Sequence, residues 1–499
     1  MFKVEYMNNI KATLITLLLL EFSTVAYSAA CDSSAIPEPL YKLIEYSKYD
    51  KAVEQAKAEY KKQSGNKESS LILAKVYVNA TLHAGMSFDL SKLGFKKGEK
   101  GKKKITKEQL KAATRGALVV NKKYLEETDA FIQQTVKKWP ESKGLFYCLT
   151  KVHFYNHDHA RFIKLLDQTA NAHKDSENEA VDFLITYGTK FIKTHRYDLA
   201  SEVYETLLKT FPHAAPALST LGVTYIKRGF TKKAMDYFEQ AYKFAPDDTI
   251  VISNIAEAAM LLADFNKAGK FLKLKAKHNP NKVDIYFDLA INAMHADPEQ
   301  SKPYWKKYFE VNAKYPDSKS WSDNAKVIQA AVKDGTYDEY DWFYLGTQMI
   351  NQRVPKYAVA LMTNANNKHP YDASISYGLA HAYDNGKHFD LAEKALLETL
   401  IRMKHPKNKF TTDTNEIYFN LSRCSLSLDR EEDTEAYLKK VKQDSKYAAN
   451  ADYMFGLIQH RRGNKQKAQN YFKSCIKKAK DNPYKQYCES QLTMGIKTK

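Results

Sequence analysis

From about residue 180 onward, apolar residues return every third or fourth position, in helix-length blocks parted by short polar turns. The stretch Ala217–Pro246 carries Leu218, Leu221, Gly222 and Tyr225, then Ala234, Phe238 and Ala241, and closes on Pro246. That spacing predicts two amphipathic helices joined by a tight turn, because residues three and four apart share one face of a helix. Thirty-four residues earlier the pattern recurs as Leu184, Tyr187, Gly188, Phe191, Ala200, Tyr204, Leu207 and Pro212. Thirty-four residues later it recurs as Ile252, Ile255, Ala256, Ala259, Ala268, Leu272 and Pro280.

A second block opens at Trp342, with Leu345, Gly346, Met349, Ala358, Met362, Ala365 and Pro370. Leu379, Ala380, Tyr383, Ala392 and Leu396 follow, then Leu421, Ser422 and Leu438, then Phe455, Gly456, Ala468 and Phe472. About eight matches in one register resemble the tetratricopeptide-repeat family over residues 180–480, with weaker traces before. The resemblance implies an all-α fold: an α-solenoid, a right-handed superhelix of helix-turn-helix repeats with a divergent helical start. The small residue in each first helix marks the crossing of the pair, where a larger side chain would force the helices apart. A single repeat cannot cover its own apolar face, so repeats stack.

The register breaks twice. After Ala290 the next small residue, Gly346, comes a helix too late, which predicts an added helix around Trp321–Val332. A shorter insertion falls near Lys407–Thr414. The organisation read from the pattern is a leader at 1–30, a divergent helical region at 31–180, and an array at 181–318. An extra helix or linker at 319–336, a second array at 337–480 and a cap helix at 481–499 complete it. Within the divergent region, Tyr49–Lys62 and Leu71–Thr81 read as helices, and Lys107–Val120 with Lys122–Lys138 as a hairpin.

The N-terminus changes the picture. Lys11, the apolar run Ala12–Leu20 and the small residues Ala26, Ser28 and Ala30 follow the order of a secretory signal. The chain is therefore expected to be exported, periplasmic or secreted, with lipidation at Cys31 as the rival reading. No later segment is long and apolar enough for a membrane span. Export makes disulfides possible for the five cysteines, and Cys475 with Cys488, on consecutive predicted helices, is the candidate pair.

The formal charge of +19 suits acidic partners, while lysines spread along helix faces also serve solubility. The basic loop at 95–104 is expected to be solvated. It lacks the Gly-Lys-Ser/Thr of a phosphate-binding loop, since Lys102 is followed by Lys103. His153, His157 and His159, with Asp158, resemble a metal cluster but fall at a predicted turn, where Asn156 or Asp158 would cap the next helix, and no metal is expected. No cofactor, metal site or catalytic residue is expected, nor a nucleic-acid partner.

The resemblance places the first helices along a concave groove. Three residues before each small position lie Ile185, Ser219, Ser253, Phe287, Phe343, Tyr377, Phe419 and Tyr453, the last five aromatic. Beside them sit His381, Arg423, His460 and Arg461. Rings supply contact area at small entropic cost and arginine pairs with carboxylates, so these residues form a candidate site for an extended, acidic protein or peptide. The same rings suit stacking on an envelope glycan, or packing between neighbouring repeats. Asn254 and Asn420 lie too far apart to make a carboxylate clamp of the family's kind. The expectation is a non-catalytic protein-interaction scaffold or assembly adaptor of the cell envelope, with glycan or peptidoglycan binding as the alternative.

Overall fold

The computed structural model describes residues 36–45, 48–83, 120–139, 142–172, 174–316, 319–335, 337–351, 355–442, 446–479 and 483–497. Among these it contains 24 α-helices and no strand, an α-solenoid of paired helices. The leader at 1–30, Cys31, the basic loop at 95–104 and nearly all of Lys107–Val120 lie outside the described residues. The chain divides into two compact units, Met1–Ala217 and Leu218–Lys499, a later boundary than the 180/181 suggested by the repeat pattern.

The first unit holds α1 (Glu38–Glu45), α2 (Tyr49–Lys62), α3 (Lys67–His83), α4 (Lys122–Lys138), α5 (Lys143–Tyr155), α6 (His159–Ala172), α7 (Glu177–Lys193) and α8 (Tyr197–Thr210). Ala52 and Ala56 of α2 are buried against Leu73, Val76 and Tyr77 of α3. Cys148 of α5 is buried and disulfide-bonded. In the α7/α8 pair, a Cβ on Gly188 would stand 2.3 Å from Cζ of Tyr204, so only glycine admits that ring. His153 is buried and its Nε2 lies 2.8 Å from Asp129 Oδ1, while the other oxygen of that carboxylate, Oδ2, pairs with Arg161 at 3.1 Å. Asp158 accepts the Arg161 N–H at the start of α6. These groups tie α4, α5 and α6 together, and no cluster able to hold a metal occurs among the described residues.

The second unit begins within α9 (Ala215–Arg228) and continues with α10 (Thr231–Phe244), α11 (Thr249–Leu261), α12 (Phe265–His278), α13 (Val283–Ala293) and α14 (Lys302–Asn312). Then come α15 (Lys319–Asp334), α16 (Glu339–Asn351), α17 (Pro355–Lys368), α18 (Ala373–Asn385), α19 (Phe389–Arg402) and α20 (Thr414–Ser427). It ends with α21 (Glu431–Leu438), α22 (Ala448–Arg461), α23 (Lys465–Ala479) and α24 (Tyr484–Lys497). The added helix is α15, and the second insertion is the non-helical segment 403–413 between α19 and α20.

Consecutive helices pair as the 34-residue register requires, with α11 on α12, α16 on α17, α18 on α19 and α22 on α23. At Gly456 a Cβ would meet Cε1 of Phe472 at 2.4 Å, and at Gly222 it would meet Cε1 of Phe238 at 2.4 Å. The second-helix ring occupies the space that a first-helix side chain would take, and this is why the pattern couples Gly to Phe across a pair.

The array also doubles back on itself. Helix α17 packs on α11 and α13 as well as on its own partner, and α10 meets α19. Phe287 and Asp288 of α13 are met by Lys356 and Tyr357 of α17, and Asn364 donates to the carbonyl of Ala296 at 3.1 Å. Surrounded this way, α17 is buried at Tyr357–Met362, Asn364 and Ala365. At the far end of the seam the turn after α9 fits the turn after α18. Gly229, with φ of +87°, would carry a Cβ 2.5 Å from Phe389 and 2.8 Å from the Lys387 carbonyl. Its own carbonyl accepts the Asp390 N–H at 3.1 Å, Asp390 caps the Lys232 N–H, and His388 Nδ1 lies 3.1 Å from Thr231 Oγ1.

Candidate functional site

The candidate residues lie on the first helices α13, α16, α18, α20 and α22, and the fold treats them differently. Phe287, expected to line the groove, is 2% exposed. Its ring lies 5.3 Å from Trp305, 5.8 Å from Tyr308 and 5.1 Å from Tyr357, because the returning helix α17 covers the inner face of α13. Beside it, the Asp288 carboxylate accepts from Tyr357 Oη at 2.7 Å and pairs with Lys356 Nζ at 3.0 Å. Burial opposes the Lys356 charge, but Asp288, Glu257 and Asp284 outweigh it and raise the pKa above the ordinary lysine value. At α11 and α13, then, the chain's own helix occupies part of the face that the repeat pattern assigns to a ligand.

In the second array Phe343 is half-buried, and its Cζ would stand 2.6 Å from a Cβ on Gly378, so the ring fills the gap between α16 and α18. Phe419 is buried, stacked on Tyr447 at 5.7 Å and 6.2 Å from Tyr484. These two rings act as packing between repeats. Tyr377, His381, Arg423 and Tyr453 remain half-buried, and His460 and Arg461 are exposed.

The half-buried group is held by its own hydrogen bonds. Tyr377 Oη donates to Glu416 at 2.8 Å, and its ring meets His381 edge-on at 4.5 Å. Burial and the Glu416 charge both push the Tyr377 pKa up, so the phenol stays protonated. Arg423 Nη2 donates to Asp384 at 2.5 Å across α20 and α18. Burial lowers the His381 pKa further than Asp384 and Glu416 restore it, so the imidazole is neutral near pH 7. A shallow crevice opens between His381, Asp384, Asn420 and Arg423. Arg461 lies 4.0 Å from Asp429 at the edge of the same face.

The row extends further than the repeat pattern indicated. Tyr487 of α24 follows Phe419 and Tyr453 in the same register, lies 6.0 Å from Tyr453 and is 55% exposed. The cap helix thus continues the succession of first helices, and Ser490 takes the small position. Cys475 of α23 and Cys488 of α24 are joined by a disulfide, which fixes α24 to the last repeat. Cys424 is a buried free thiol behind Arg423, its pKa pushed up to about 12 by burial.

Residues 188–249 match the family model of the tetratricopeptide repeat. Tetratricopeptide repeat protein 21A of Mus musculus is 31% identical over 98 residues, which are 20% of this chain and 7% of that protein. Anaphase-promoting complex subunit 6 of Arabidopsis thaliana is 25% identical over 113 residues, 22% of this chain and 21% of that protein. The chain therefore spans less than a quarter of the length of either relative. Among solved structures, YrrB, described as a tetratricopeptide protein with an unusual peptide-binding site, is 12% identical with a TM-score of 0.29, covering 36% of this chain and 92% of that one. A tetratricopeptide repeat protein from Parabacteroides merdae is 14% identical with a TM-score of 0.25, covering 61% of this chain and 96% of that one.

Proposed function

We propose that this tetratricopeptide protein is an exported, non-catalytic scaffold of the cell envelope, holding a protein partner along the first helices of its second array. Repeats of this family mediate protein–protein interaction, and the fold itself is shared by many functions. The observation that carries the reading is the contrast between the two arrays. In the first, α17 covers α11 and α13. In the second, Tyr377, His381, Arg423, Tyr453 and Tyr487 keep exposed area along three successive first helices and the cap. Their hydrogen bonds to Glu416 and Asp384 fix the side chains before a partner arrives, which lowers the ordering cost of binding. Arg423, His460 and Arg461 favour an acidic segment.

Export is supported by the signal-like order of residues 1–30 and by the disulfide-bonded cysteines Cys148, Cys475 and Cys488, since such bonds persist in oxidising compartments. Fractionation of host cells tests this part directly, with the chain expected outside the cytoplasm and shortened by its leader. The groove is tested with a His460→Glu/Arg461→Glu variant, whose changes lie on exposed positions and leave the core intact. A partner held by the unaltered protein should be lost by the variant and retained by a Lys394→Glu control on exposed α19 surface. Equal retention by both variants would remove the groove from consideration.

A further inference from the structure

The lysines of the first array are divided unevenly between its two layers of helices. The first helices α11 and α13 carry Glu257, Asp284 and Asp288 and no lysine or arginine. The second helix α12, which packs on both, carries Lys267, Lys270, Lys273, Lys275 and Lys277 and no acid. Together the second helices α10, α12 and α14 hold eleven lysines, three acids and no arginine, so the positive charge of this array lies on its second-helix layer.

Packing accounts for two of the five lysines of α12. Phe265, Ala268, Phe271 and Leu272 bury its inner face. On the flanks, Lys267 pairs with Glu239 at 2.6 Å and with its N-cap Asp264 at 3.6 Å, and Lys275 lies 3.8 Å from Asp284 and 4.0 Å from Asp288. The acids beside α12 are thus engaged by its flanking lysines. Elsewhere in the layer, Asp236 follows Lys232 and Lys233 by one turn of α10, Glu310 pairs with Lys307 at 3.5 Å, and Asp247 lies in the turn after α10. Lys270, Lys273 and Lys277 are exposed, and none makes an ion pair among the described residues.

Positions 270, 273, 274 and 277 share one face of the helix, so these three lysines surround Leu274, which is half-buried. Their backbone positions span about 10 Å along the axis. Lys270 Nζ stands 5.7 Å from the centre of the Phe271 ring, the placement of a stem laid on apolar surface with its charge in water. A cation in the last turn, such as Lys277, favours the helix dipole, but Lys270 and Lys273 stand in mid-helix and gain little from it.

We propose that this outer face of α12 docks the protein on a bilayer of anionic phospholipid, with Lys270, Lys273 and Lys277 among the headgroup phosphates and Leu274 toward the acyl boundary. Lysine is a hydrated point charge that suits a diffuse sheet of charge, whereas a single fixed phosphate or carboxylate is matched best by arginine, which this layer lacks. Both phenylalanines of α12 are buried, so a sugar or a nucleic-acid base finds no exposed ring there on which to stack. The docking residues are distinct from those of the groove, and the two readings are tested apart.

The test is co-sedimentation of the full mature chain with vesicles of equal parts phosphatidylglycerol and phosphatidylcholine, and with phosphatidylcholine alone. The chain should bind the anionic vesicles, not the neutral ones, and less as salt rises. Lys270→Glu/Lys273→Glu/Lys277→Glu should weaken binding about a hundredfold or more. Lys465→Glu/Lys467→Glu/Lys473→Glu, at exposed positions of α23, makes the same change in net charge and should weaken it less than about tenfold. Circular dichroism checks that both variants keep their helices. Failure to bind the anionic vesicles overturns the proposal, as does equal binding to the neutral ones. Equal weakening by the two variants also overturns it, because net charge would then be the cause. Stronger retention on duplex DNA or poly-glutamate than on the vesicles, lost with the α12 changes, would make the stripe a site for an acidic polymer and overturn the bilayer reading.

Discussion

The doubling-back of the second unit makes a quantitative demand on Asp288. This carboxylate is 4% exposed, accepts from Tyr357 Oη at 2.7 Å and faces Lys356 Nζ at 3.0 Å. Asp288→Ala removes the acceptor and leaves a buried phenol and a half-buried ammonium against an apolar gap, with Glu257 and Asp284 the remaining acids acting on the lysine. Breaking a buried pair from one side costs about 3–5 kcal/mol. Tyr357→Phe removes one hydrogen bond but keeps the ring on Phe287, so about 1–2 kcal/mol is expected. Lys356→Met in the Asp288→Asn background removes both charges and should regain most of the loss, since apolar replacement of a whole buried pair is often neutral.

The assay is denaturant unfolding followed by circular dichroism, with hydrogen exchange of the α17 amides to locate the effect. Exchange within 355–368 should quicken in Asp288→Ala before that of α22 or α23, because the change strikes the seam. The pH dependence has a fixed sign. Lys356 and Tyr357 are both raised in the folded state, by Asp288 and its acidic neighbours for the lysine and mainly by burial for the tyrosine. Their contribution is full below the unfolded values and fades as pH rises through the folded ones, so the seam should loosen only above about pH 10. An Asp288→Ala protein within about 1 kcal/mol of the unaltered one, with unchanged α17 exchange, would refute the docking.

Three other outcomes follow from local geometry. Burial lowers the His388 pKa to about 4, so its share of stability is full above its unfolded value and is lost as pH falls, at up to about 1.4 kcal/mol per unit. His388→Gln should flatten the stability profile between roughly pH 5 and 6.5, a window chosen because Asp390, raised by burial, titrates with the opposite sign lower down. Gly456→Ala drives a methyl into Phe472 and should cost about 1–3 kcal/mol in a melting experiment, with Phe472→Leu as the compensating second change. Replacing Cys475 and Cys488 with Ser opens a short loop and should lower stability by about 3 kcal/mol, seen first as faster proteolysis at α24.

What was legible in the sequence was the helix pair and its stacking on the next pair, because those contacts lie within one or two repeat periods. The Gly222–Phe238 and Gly456–Phe472 contacts are written as a small residue followed at fixed distance by a ring. The added helix α15 and the insertion after α19 were legible as lost register. The return of α17 onto α11 and α13 was not, since no periodic pattern encodes a contact between residues as distant as Asp288 and Tyr357. Two signals hinted at it: α17 is apolar around most of its circumference, which a one-sided second helix need not be, and Asp288 falls within the otherwise apolar run Ile285–Ile291 of a first helix. That unread contact is also why Phe287 had the right register for the groove and yet lies in the core. Phe343 and Phe419 followed the same rule more locally, each filling a gap against the neighbouring repeat, while the tyrosines at equivalent positions kept a polar edge at the surface.

The central claim is that a partner lies along the inner face of the second array, and photocrosslinking addresses it most directly. A photoreactive phenylalanine analogue is placed at His381, His460 or Tyr487 on that face, at Ser253 on the first array, and at Lys394 on the outer surface of α19. On irradiation in envelope extract, the three second-array positions should capture one common protein, and Ser253 and Lys394 should not. Capture of that protein from Lys394 or Ser253, with none from His381, His460 and Tyr487, would contradict the account.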